Sequence, residues 1–374
     1  MKKKIAIIGA GIAGLTLGNF LQKKSNYEFI IYEKGETLNL DEGFGIQLAI
    51  NSISILNQIG FKEFNKSEIF NPKTLVFFSK QDKVCDLDLT QFNTQAEKYT
   101  TLKRSSLIKF LKDKLFNNIF RFNKMIELIE YKENKIQLKF TDGGTDEVDY
   151  LIVSDGVFST TKTIIENKKT KINFRGAFAA RTTISKNNFK TLNEENISLI
   201  MCPNAHLVLY PINEEEYNFI AILRNKANTS DDKNRELLKN VLEQNNLNIL
   251  FEKKISFWPI YSSSKPAISK YKNIFYLGDA FYTFPPTMAQ GASQSIESAD
   301  ELFKILEKDS DNKQDIYFAN RLERVKIISR RSNFNFFVFH LCNSFFVIAR
   351  NFILRKLIYN NKFIDTFLRR VFRK

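Results

Sequence analysis

The stretch IAIIGAGIAGLTLGNFLQKKSNYEFIIYE, residues 5–33, decides the fold. It opens with a short apolar run that ends at a glycine, which is typical of a buried parallel strand. Gly9, Gly11 and Gly14 follow with GxGxxG spacing, residues 15–24 have helical spacing, and EFIIYE predicts a second strand that ends at Glu33. Strand, glycine turn, helix, strand and acid in this order predict a βαβ unit of an α/β domain.

Each glycine of this turn has a physical role in binding a dinucleotide. Gly9 permits the tight turn, Gly11 lets a pyrophosphate approach the backbone, and Gly14 lets the helix pack closely on the strand. The helix N-terminus offers unpaired N–H groups to the phosphates. Glu33 can accept hydrogen bonds from a ribose diol and disfavours a 2′-phosphate, so the sequence predicts FAD or NAD rather than NADP. The predicted contact residues are Gly9, Gly11, Ile12, Ala13, Gly14, Glu33 and Lys34.

A second glycine-bearing turn lies at residues 276–292. YLGDA (276–280) predicts a buried strand that ends in Gly278-Asp279, followed by Pro285-Pro286 and by a glycine turn, AQGA (289–292), that opens a helix. Asp279 at a strand end can hold a sugar-like hydroxyl, and the turn at Gly291 would direct backbone N–H groups at a polar or anionic group. Two alternatives stay open: Asp279 caps the following loop, and the first glycine turn holds no ligand.

Composition and charge narrow the class of protein. The chain of 374 residues is 43% hydrophobic and 26% charged, which excludes collagen-like, disordered and coiled-coil proteins and allows two or three domains. Its formal net charge is +15, but residues 319–374 hold 13 Lys or Arg against 2 acids, so the first 318 residues carry only +4. The basic excess therefore belongs to the C-terminal segment and is not a property of the whole chain.

Cysteine and histidine usage argues against disulfides and metal sites. Three cysteines lie far apart without CxxC spacing, and His206 and His340 are the two histidines. Cys202 and His206 are four residues apart with no third ligand candidate, so we expect no metal and no Cys/His nucleophile. The apolar run at 5–8 is too short for a signal-peptide core, so we expect a cytoplasmic protein in a reducing compartment.

With these motifs in this order, the chain resembles the FAD-dependent aromatic-ring monooxygenases of the salicylate and para-hydroxybenzoate hydroxylase type. Three signatures carry the resemblance: the dinucleotide glycines with Glu33, then Asp155-Gly156 in DYLIVSDGVFS (149–159), then Gly278-Asp279 with PPTMAQGASQSIESAD (285–300). The resemblance covers about residues 4–305.

The resemblance implies an α/β fold of α+β two-domain type: a Rossmann-like FAD-binding domain with a β-sheet substrate domain and C-terminal helices. We expect residues 1–68, 100–168 and 266–306 to form the discontinuous FAD-binding domain. Residues 69–99 and 169–265 would form the substrate domain, and residues 307–374 the C-terminal helical segment.

The resemblance also implies roles for individual residues. Glu33 would bind the adenosine ribose, Arg104 the ribityl–pyrophosphate region, and Asp279 the ribityl chain. The other implied cofactor contacts are Asp155, Gly156, Gly278, Pro286, Gly291 and Ala292. The family often has a histidine three residues after the Asp of Gly-Asp, where this chain has Tyr282. Because tyrosine does not titrate near neutral pH, a proton-shuttle role at this position is not expected.

The implied reaction is a hydroxylation. NAD(P)H would reduce the FAD transiently, O2 would add to form a C4a-hydroperoxide, and its distal oxygen would pass to an aromatic or electron-rich small molecule. Alternatives of the same fold are a reductase, an oxidase and a flavin halogenase, although the halogenase signature Trp-x-Trp-x-Ile-Pro is impossible with Trp258 as the one tryptophan. The alternative from another class is a membrane-recruited FAD-binding protein without turnover.

Pocket candidates come from the strand-rich part of the chain. Arg181 would bind a substrate carboxylate or a cofactor phosphate. The candidates for apolar walls are Phe178, Tyr210, Trp258 and Tyr261. Core packing is the alternative for each aromatic residue, and an exposed-face position is the alternative for Arg181, because the sequence does not fix the strand register. The sequence assigns no catalytic residue.

The C-terminal segment has two interpretations. Residues 332–349 carry no formal charge, but several polar side chains among them make a membrane-spanning helix costly. Further along, apolar residues lie near one side among basic residues: Ile353, Leu357, Ile364, Leu368 and Phe372. This pattern predicts either peripheral contact with the inner face of a membrane through residues 332–374 or helices that pack on the flavin domain. No nucleic-acid module accompanies the arginines, and the oligomeric state is not predicted.

Overall fold

The computed structural model describes residues 2–372 except for residues 39, 41–43, 169–170, 189–194, 226–230, 248–249 and 251–253. Arg373 and Lys374 of the predicted basic tail lie outside the described residues. The strands are β1 (Lys4–Ile8), β2 (Glu28–Tyr32), β3 (Gly45–Leu48), β4 (Ile69–Phe70), β5 (Thr74–Ser79), β6 (Asp82–Asp88), β7 (Thr100–Lys103), β8 (Phe120–Arg121), β9 (Ile126–Lys132), β10 (Lys135–Phe140), β11 (Thr145–Val148), β12 (Tyr150–Val153), β13 (Ile172–Ser185), β14 (Ile197–Cys202), β15 (Ala205–Pro211), β16 (Glu216–Arg224), β17 (Ser256–Ser263) and β18 (Ile274–Tyr276).

The helices follow the predicted order along the chain. They are α1 (Ile12–Lys24), α2 (Ile50–Asn57), α3 (Arg104–Asp113), α4 (Thr160–Glu166), α5 (Asp231–Glu243), α6 (Gly291–Leu306), α7 (Lys313–Val338), α8 (Ser344–Leu357), α9 (Asn361–Phe363) and α10 (Arg370–Phe372). A π-helical turn, Ile364–Arg369, joins α9 to α10.

The predicted βαβ unit forms the centre of a five-stranded parallel sheet. The strand order is β18-β12-β1-β2-β8. Ile8 at the end of β1 pairs with Tyr32 of β2 and with Val153 of β12. Ile5 and Ile7 are fully buried, because strands in the middle of a parallel sheet are covered on both faces. The carboxyl ends of these strands therefore meet at one edge, where the loops with the sequence motifs begin.

A seven-stranded mixed sheet, of order β17-β13-β16-β15-β14-β5-β6, forms the second layer of the molecule. Neighbouring strands are antiparallel except β14 and β5, which are parallel. One face packs on α5, where Ala221 of the sheet lies in the same core cluster as Leu238 and Leu242 of the helix. The strand β3 belongs to a separate three-stranded sheet of order β3-β7-β4, and it contacts the seven-stranded sheet where Gly45 N–H donates to Asn218 Oδ1 of β16 at 2.6 Å.

Buried ion pairs connect α7 to α6. Glu297 on α6 is fully buried, and its carboxylate lies 2.7 Å from Arg324 Nη2 and 3.5 Å from Arg321 Nη1, both on α7. Asn51 on α2 also donates to this carboxylate. Burial alone would raise the pKa of Glu297, but Arg324, Arg321 and Asn51 hold it below its ordinary value. Glu297 is therefore a charged residue in the core that joins three helices.

The elements α8 to α10 pack on the hairpin β5–β6 of the seven-stranded sheet and on residues at the start of α2. Ile358, Ile364 and Phe372 share a core cluster with Val84 and Leu87 of β6. These short helices cover the apolar side chains of the hairpin β5–β6, which forms one edge of the sheet. Within the described ranges, no helix combines the length and the hydropathy that crossing a bilayer requires.

Candidate active site

The glycine turn after β1 has the geometry of a nucleotide-binding turn. Gly9 has φ +101°, a region that favours glycine, and its N–H donates to the carbonyl of Tyr32 at 2.8 Å. A Cβ on Gly14 would lie 2.2 Å from Gly9 O, so only glycine lets α1 pack on the turn. Gly11 is the N-cap of α1, and no heavy atom lies within 4 Å of its Cβ position. An open space therefore faces the N-terminus of α1.

Glu33 follows β2 beside this turn. Its Oε2 accepts a hydrogen bond from Ala10 N–H at 2.9 Å, and its Oε1 accepts one from Gly35 N–H at 3.0 Å. A carboxylate oxygen has capacity for a further hydrogen bond, so Glu33 can still receive a ribose hydroxyl. The other predicted contacts here are the half-buried Ile12, the buried Ala13 and the exposed Lys34.

Gly278-Asp279 follows β18 and lies against the glycine turn. Gly278 has φ +59°, and a Cβ there would lie 3.0 Å from the Cβ of Ala13, so the two motifs are walls of one groove. Burial raises the pKa of Asp279 to about 6, while the charge of Arg104 at the start of α3 opposes this rise. Arg104 and Asp279 therefore act on each other across this groove.

The helix α6 begins at the same edge with an accessible N-terminus. Gly291 is its first residue and has no heavy atom within 4 Å of its Cβ position, and Ala292 follows in the same turn. Pro286 begins the short helical turn that precedes α6, and this turn ends at Ala289 with φ +51°. Unpaired N–H groups at a helix N-terminus favour anionic and polar ligand groups.

Asp155-Gly156 follows β12 at this edge. Gly156 has φ +87° and an open Cβ position. Asp155 Oδ2 accepts a hydrogen bond from Thr161 N–H at 3.2 Å, while Oδ1 is buried and has no hydrogen-bond partner in the described part of the chain. Because buried oxygens normally have a partner, this atom fits a ligand-binding position.

The donors and acceptors at this edge fit FAD. The N-terminus of α1 at Gly11 suits a pyrophosphate, and the N-terminus of α6 at Gly291 suits the polar side of a flavin ring. The carboxylates of Glu33 and Asp279 suit a ribose and a ribityl chain. All of them lie at the carboxyl ends of parallel strands, which is where open α/β sheets bind ligands.

A cavity of about 320 Å³ extends from this groove to the seven-stranded sheet. Asp279, Gly291 and Ala292 line one end of it. The strand register aligns a row of side chains across five neighbouring strands: Arg181, Ile220, Val208, Leu199 and Phe77. All five line the cavity. Residues that pair directly across neighbouring strands face the same side of a sheet.

The predicted pocket residues divide between the cavity and the rest of the sheet. Arg181 and Tyr210 line the cavity. Phe178 lies three residues before Arg181 on β13. Successive side chains of a strand alternate between its two faces, so Phe178 faces the opposite side of the sheet. Trp258 lies on the edge strand β17 and is 43% exposed, and Tyr261 packs in an aromatic group on β13. The structure therefore places Phe178, Trp258 and Tyr261 outside the cavity lining.

Two polar cavity residues, Gln47 and Tyr99, are absent from the sequence-based candidates. The Tyr99 hydroxyl donates to Gln47 Oε1 at 2.7 Å, and Gln47 also hydrogen bonds with Tyr210. Burial raises the pKa of Tyr99, and burial raises that of Tyr210 although Arg181 and Gln47 lower it. Both hydroxyls therefore stay protonated as donors. The one local signal was a glutamine between two apolar residues of β3.

The far wall of the cavity comes from the C-terminal segment, which sequence analysis does not connect with the site. Its lining residues are Leu354, Ile358, Phe363, Phe367, Leu368 and Phe372. All six are apolar, and the ring of Phe372 packs edge-on against that of Tyr99 with a centroid distance of 6.0 Å. The C-terminal segment therefore gives the cavity an apolar wall that lies beside the hydrogen-bonded pair of Tyr99 and Gln47.

Comparison with known families shows which family the chain belongs to. A family model described as an FAD binding domain matches residues 2–331. The chain belongs to this family. The predicted FAD cofactor is thereby confirmed for this flavoprotein.

Two characterised relatives align over most of the flavoprotein. The 3-amino-4-hydroxybenzoate 2-monooxygenase PtmB3 of Streptomyces platensis is 24% identical over 362 residues, which cover 91% of this chain and 89% of the relative. The 6-hydroxynicotinate 3-monooxygenase of Bordetella bronchiseptica is 24% identical over 361 residues, which cover 89% and 91%. The prediction of an FAD-dependent monooxygenase is confirmed, and such an enzyme takes a small-molecule substrate and O2.

Solved structures of similar fold include two flavoenzymes. HpxO of Klebsiella pneumoniae in complex with FAD and uric acid has a TM-score of 0.83 at 18% identity, covering 98% of this chain and 97% of that chain. A salicylate hydroxylase substrate complex has a TM-score of 0.78 at 17% identity, covering 96% and 93%. The predicted α/β fold, an FAD-binding domain with a β-sheet substrate domain, is confirmed.

A buried histidine pair links the C-terminal segment of the flavoprotein to the sheet. His206 on β15 lines the cavity, and its Nδ1 lies 2.7 Å from Nε2 of His340 in the turn between α7 and α8. Arg224 Nε donates to Nδ1 of His340 at 3.0 Å, so Nε2 of His340 is the donor to His206. Burial lowers the pKa of His206 to about 3; burial, His206 and Arg224 lower that of His340 to about 2. In the described ranges, no three His, Cys, Asp or Glu side chains form a metal-binding group.

Acid is expected to weaken this connection. Because both histidines have pKa values below the ordinary 6.5, the unfolded chain takes up protons first as the pH falls through 6.5. Their contribution to stability is complete above that pH and is lost below it. We expect the free energy of unfolding to fall by about 2 kcal/mol between about pH 7 and about pH 5.5, measured by urea denaturation. The variant His340→Gln should show about half of this pH dependence; an unchanged dependence would contradict the assignment.

Proposed function

We propose that this flavoprotein hydroxylates an electron-rich aromatic small molecule in the cavity beside its FAD site, with NAD(P)H as the transient reductant. One observation supports this most directly: Asp279, Gly291 and Ala292 border both the FAD groove and the cavity. A molecule held in the cavity is then adjacent to the flavin end of the groove. When bound, FAD supplies the redox chemistry with O2, for which amino-acid side chains have no equivalent.

The residues proposed to hold FAD form three groups. The glycine turn and Glu33 with Lys34 would receive the adenosine and pyrophosphate part. Arg104, Gly278 and Asp279 would contact the ribityl chain. The flavin end would meet Pro286, Gly291 and Ala292, with Asp155 and Gly156 on the neighbouring loop. The division into an FAD-binding domain, a substrate domain and a helical segment stays a proposal with the boundaries given above.

The polar side chains of the cavity would orient the substrate, and the apolar side chains would keep water away from it. Tyr210 is protonated and can donate a hydrogen bond to a phenolate or a carbonyl oxygen of the substrate, whereas the Tyr99 hydroxyl donates to Gln47 and holds that side chain in place. Arg181 can pair with a carboxylate. Ile220, Val208 and Leu199 of the row on the sheet would keep water out of the cavity. Exclusion of water would limit the release of hydrogen peroxide without hydroxylation of the substrate.

A panel of phenols, aminophenols and hydroxybenzoates tests this function. Each compound is scored by the stimulated oxidation of NADH or NADPH, by release of hydrogen peroxide and by product mass under ¹⁸O₂. We expect at least one compound to accelerate oxidation and to gain one labelled oxygen atom. Substrate-dependent oxidation that ends wholly in peroxide would identify an oxidase, and an unlabelled product would identify a reductase.

Removal of the Tyr210 hydroxyl should weaken substrate orientation without loss of FAD. For Tyr210→Phe, one hydrogen bond is lost, so we expect KM to rise about fivefold to tenfold and a larger share of NAD(P)H to be consumed as peroxide. Trp258→Phe is the matched control, because Trp258 lies on the exposed edge strand. Equal changes of KM in both variants would show that the cavity is not the substrate site.

We also propose peripheral membrane contact through residues 332–374 as a property separate from the hydroxylation. It is supported by Phe345 and Phe352 of α8, which are 73% and 62% exposed, near Arg355 and Lys356 of the same helix.

A further inference from the structure

The helix α8 presents an apolar stripe to solvent. Phe345, Ile348 and Phe352 recur with helical spacing and are 73%, 69% and 62% exposed. The inward positions of the same helix include the buried Arg350, whose guanidinium donates to the Val338 carbonyl at 3.3 Å and to Ser79 Oγ at 3.0 Å. A surface helix of a globular protein normally turns its apolar stripe inward and its charges outward. In α8, three large apolar side chains face solvent and an arginine is buried, while Leu354 faces inward and Arg355 and Lys356 are exposed.

The stripe belongs to a larger apolar surface around α8, which we call the aromatic surface. Its members are Phe334, Phe337, Phe345, Phe346, Ile348, Phe352, Ile353 and Tyr359, each more than half exposed. The other large apolar side chains that are exposed in the described part of the chain are scattered from residue 40 to residue 268. A contiguous group of this kind marks an interaction surface, whereas single exposed apolar residues do not.

The charges around the aromatic surface indicate the chemistry of its partner. Arg330, Arg355, Lys356, Lys362 and Arg370 are exposed on the same segment. Residues 324–372 contain one acid, Asp365, whose Oδ1 forms an ion pair with Arg369 Nε at 2.8 Å. Aromatic rings among basic side chains match the interface of an anionic bilayer, where rings enter the headgroup layer and the cations meet lipid phosphates.

The inner side of the same segment is a wall of the cavity. Leu354 and Ile358 lie on the inward side of α8, and Phe367, Leu368 and Phe372 follow in the short helices behind it. One layer of helix thus separates the aromatic surface from the cavity. Asp279 lines the same cavity where it borders the groove of the glycine turns.

From these two faces we infer that the C-terminal segment seats the enzyme on an anionic bilayer and that the substrate is a lipophilic aromatic compound taken from it. The aromatic head would lie by Arg181 and Tyr210, and an apolar chain would lie against Leu354 and Phe372. The inference rests on the proposed function for the reaction and adds the class of substrate and the surface that supplies it.

Vesicle flotation of the full-length holoenzyme tests the docking surface. The vesicles are pure phosphatidylcholine or contain about 30 mol% phosphatidylglycerol. We expect binding to the anionic vesicles and at least a tenfold loss of binding in Phe345→Ser/Ile348→Ser/Phe352→Ser. Phe116→Ser is the matched control, because Phe116 is 66% exposed but lies outside the aromatic surface. Equal binding of the triple variant and the wild type, or no binding at all, would overturn the docking surface.

The oligomeric state distinguishes a bilayer from a second copy of the chain. Light scattering after size exclusion is expected to give the same mass for the wild type and the triple variant. A dimer that becomes a monomer in the triple variant would show that another copy covers the aromatic surface, and would overturn the lipid assignment.

A series of 4-alkylphenols, from methyl to nonyl, tests the substrate class. Burial of each additional methylene should raise kcat/KM about twofold to fourfold until the cavity is full. In Leu354→Trp, which fills space at the apolar wall, this rise should stop at a shorter chain. Leu357→Trp is the control, because Leu357 is on the same helix outside the cavity lining.

The outcomes separate the inference from the proposed function. If kcat/KM for phenol equals kcat/KM for the long-chain compounds, the monooxygenase proposal stands and the lipophilic substrate class is overturned. If no member of the series is hydroxylated while hydroxybenzoates of the earlier panel are, the same conclusion holds. If neither set is hydroxylated, the proposed function itself fails.

Discussion

Gly11→Val is expected to abolish FAD binding while the apoprotein keeps its stability. The φ and ψ of Gly11, −83° and −175°, are open to any residue, and no heavy atom lies within 4 Å of its Cβ position. The valine therefore fits the folded chain, but its methyl groups occupy the space through which a pyrophosphate reaches the N-terminus of α1. We expect the dissociation constant for FAD to rise at least about 100-fold, measured by flavin fluorescence titration of the apoprotein.

Gly14→Val is the comparison that separates ligand space from packing space. A Cβ at Gly14 would lie 2.2 Å from Gly9 O and 2.8 Å from Ser154 Oγ. This variant should unfold at lower temperature even without FAD, whereas Gly11→Val should melt with the wild-type apoprotein. A Gly11→Val protein that is purified yellow with full FAD content would show that the cofactor does not approach this helix.

The second large effect is expected at the buried carboxylate of Glu297. Glu297→Gln removes the counter-charge of Arg324, whose side chain is 13% exposed, and leaves the 3% exposed Arg321 with Glu301 alone, at 3.4 Å. Loss of one member of a buried ion pair costs about 3–5 kcal/mol of the free energy of unfolding, measured by guanidinium denaturation. Because the pKa of Glu297 is held below its ordinary value of 4.5, its contribution is present above that pH and is lost as the pH falls further.

An exposed ion pair provides the control for Glu297. Glu243 on α5 lies 3.9 Å from Lys239, and both side chains are about half exposed. Glu243→Gln should leave the unfolding midpoint unchanged, since solvent screens such a pair. Similar midpoints for Glu297→Gln and the wild type would show that the three helices are held by packing alone.

Short-range patterns predict which residues share the groove at the carboxyl ends of the parallel strands. Gly9, Gly11 and Gly14 lie within six residues of one another, and Glu33 ends the very next strand, so spacing alone predicts that they meet. Gly278 and Asp279 are distant in sequence, but they follow another strand of the same parallel sheet. The common edge of parallel strands brings them to the first motif without any knowledge of side-chain packing.

The substrate cavity depends on information that local patterns do not contain. Trp258 and Arg181 looked equally suitable in sequence, yet one lies on an edge strand and the other on an inner strand. Gln47 lies on β3, and Tyr99 directly precedes β7, which pairs with β3 although the two residues are 52 positions apart in sequence. A shift of one residue in register exchanges the faces of a strand, so these assignments need the three-dimensional structure.

The apolar residues of the C-terminal segment do not share one side, because the segment is not one continuous helix. The predicted apolar side assumed one continuous helix through Ile353 and Phe372. The structure ends α8 at Leu357 and starts α9 at Asn361, where the Asn360 side chain caps the new helix at Phe363 N–H. This break changes the phase, so Ile353 is exposed while Leu368 and Phe372 line the cavity.

The position of the cavity wall in the chain has a consequence during biosynthesis. The elements that border the groove, from β1 to α6, are translated before residues 354–372, which form one wall of the cavity. During synthesis, the cavity therefore stays open to water until the end of the chain has left the ribosome.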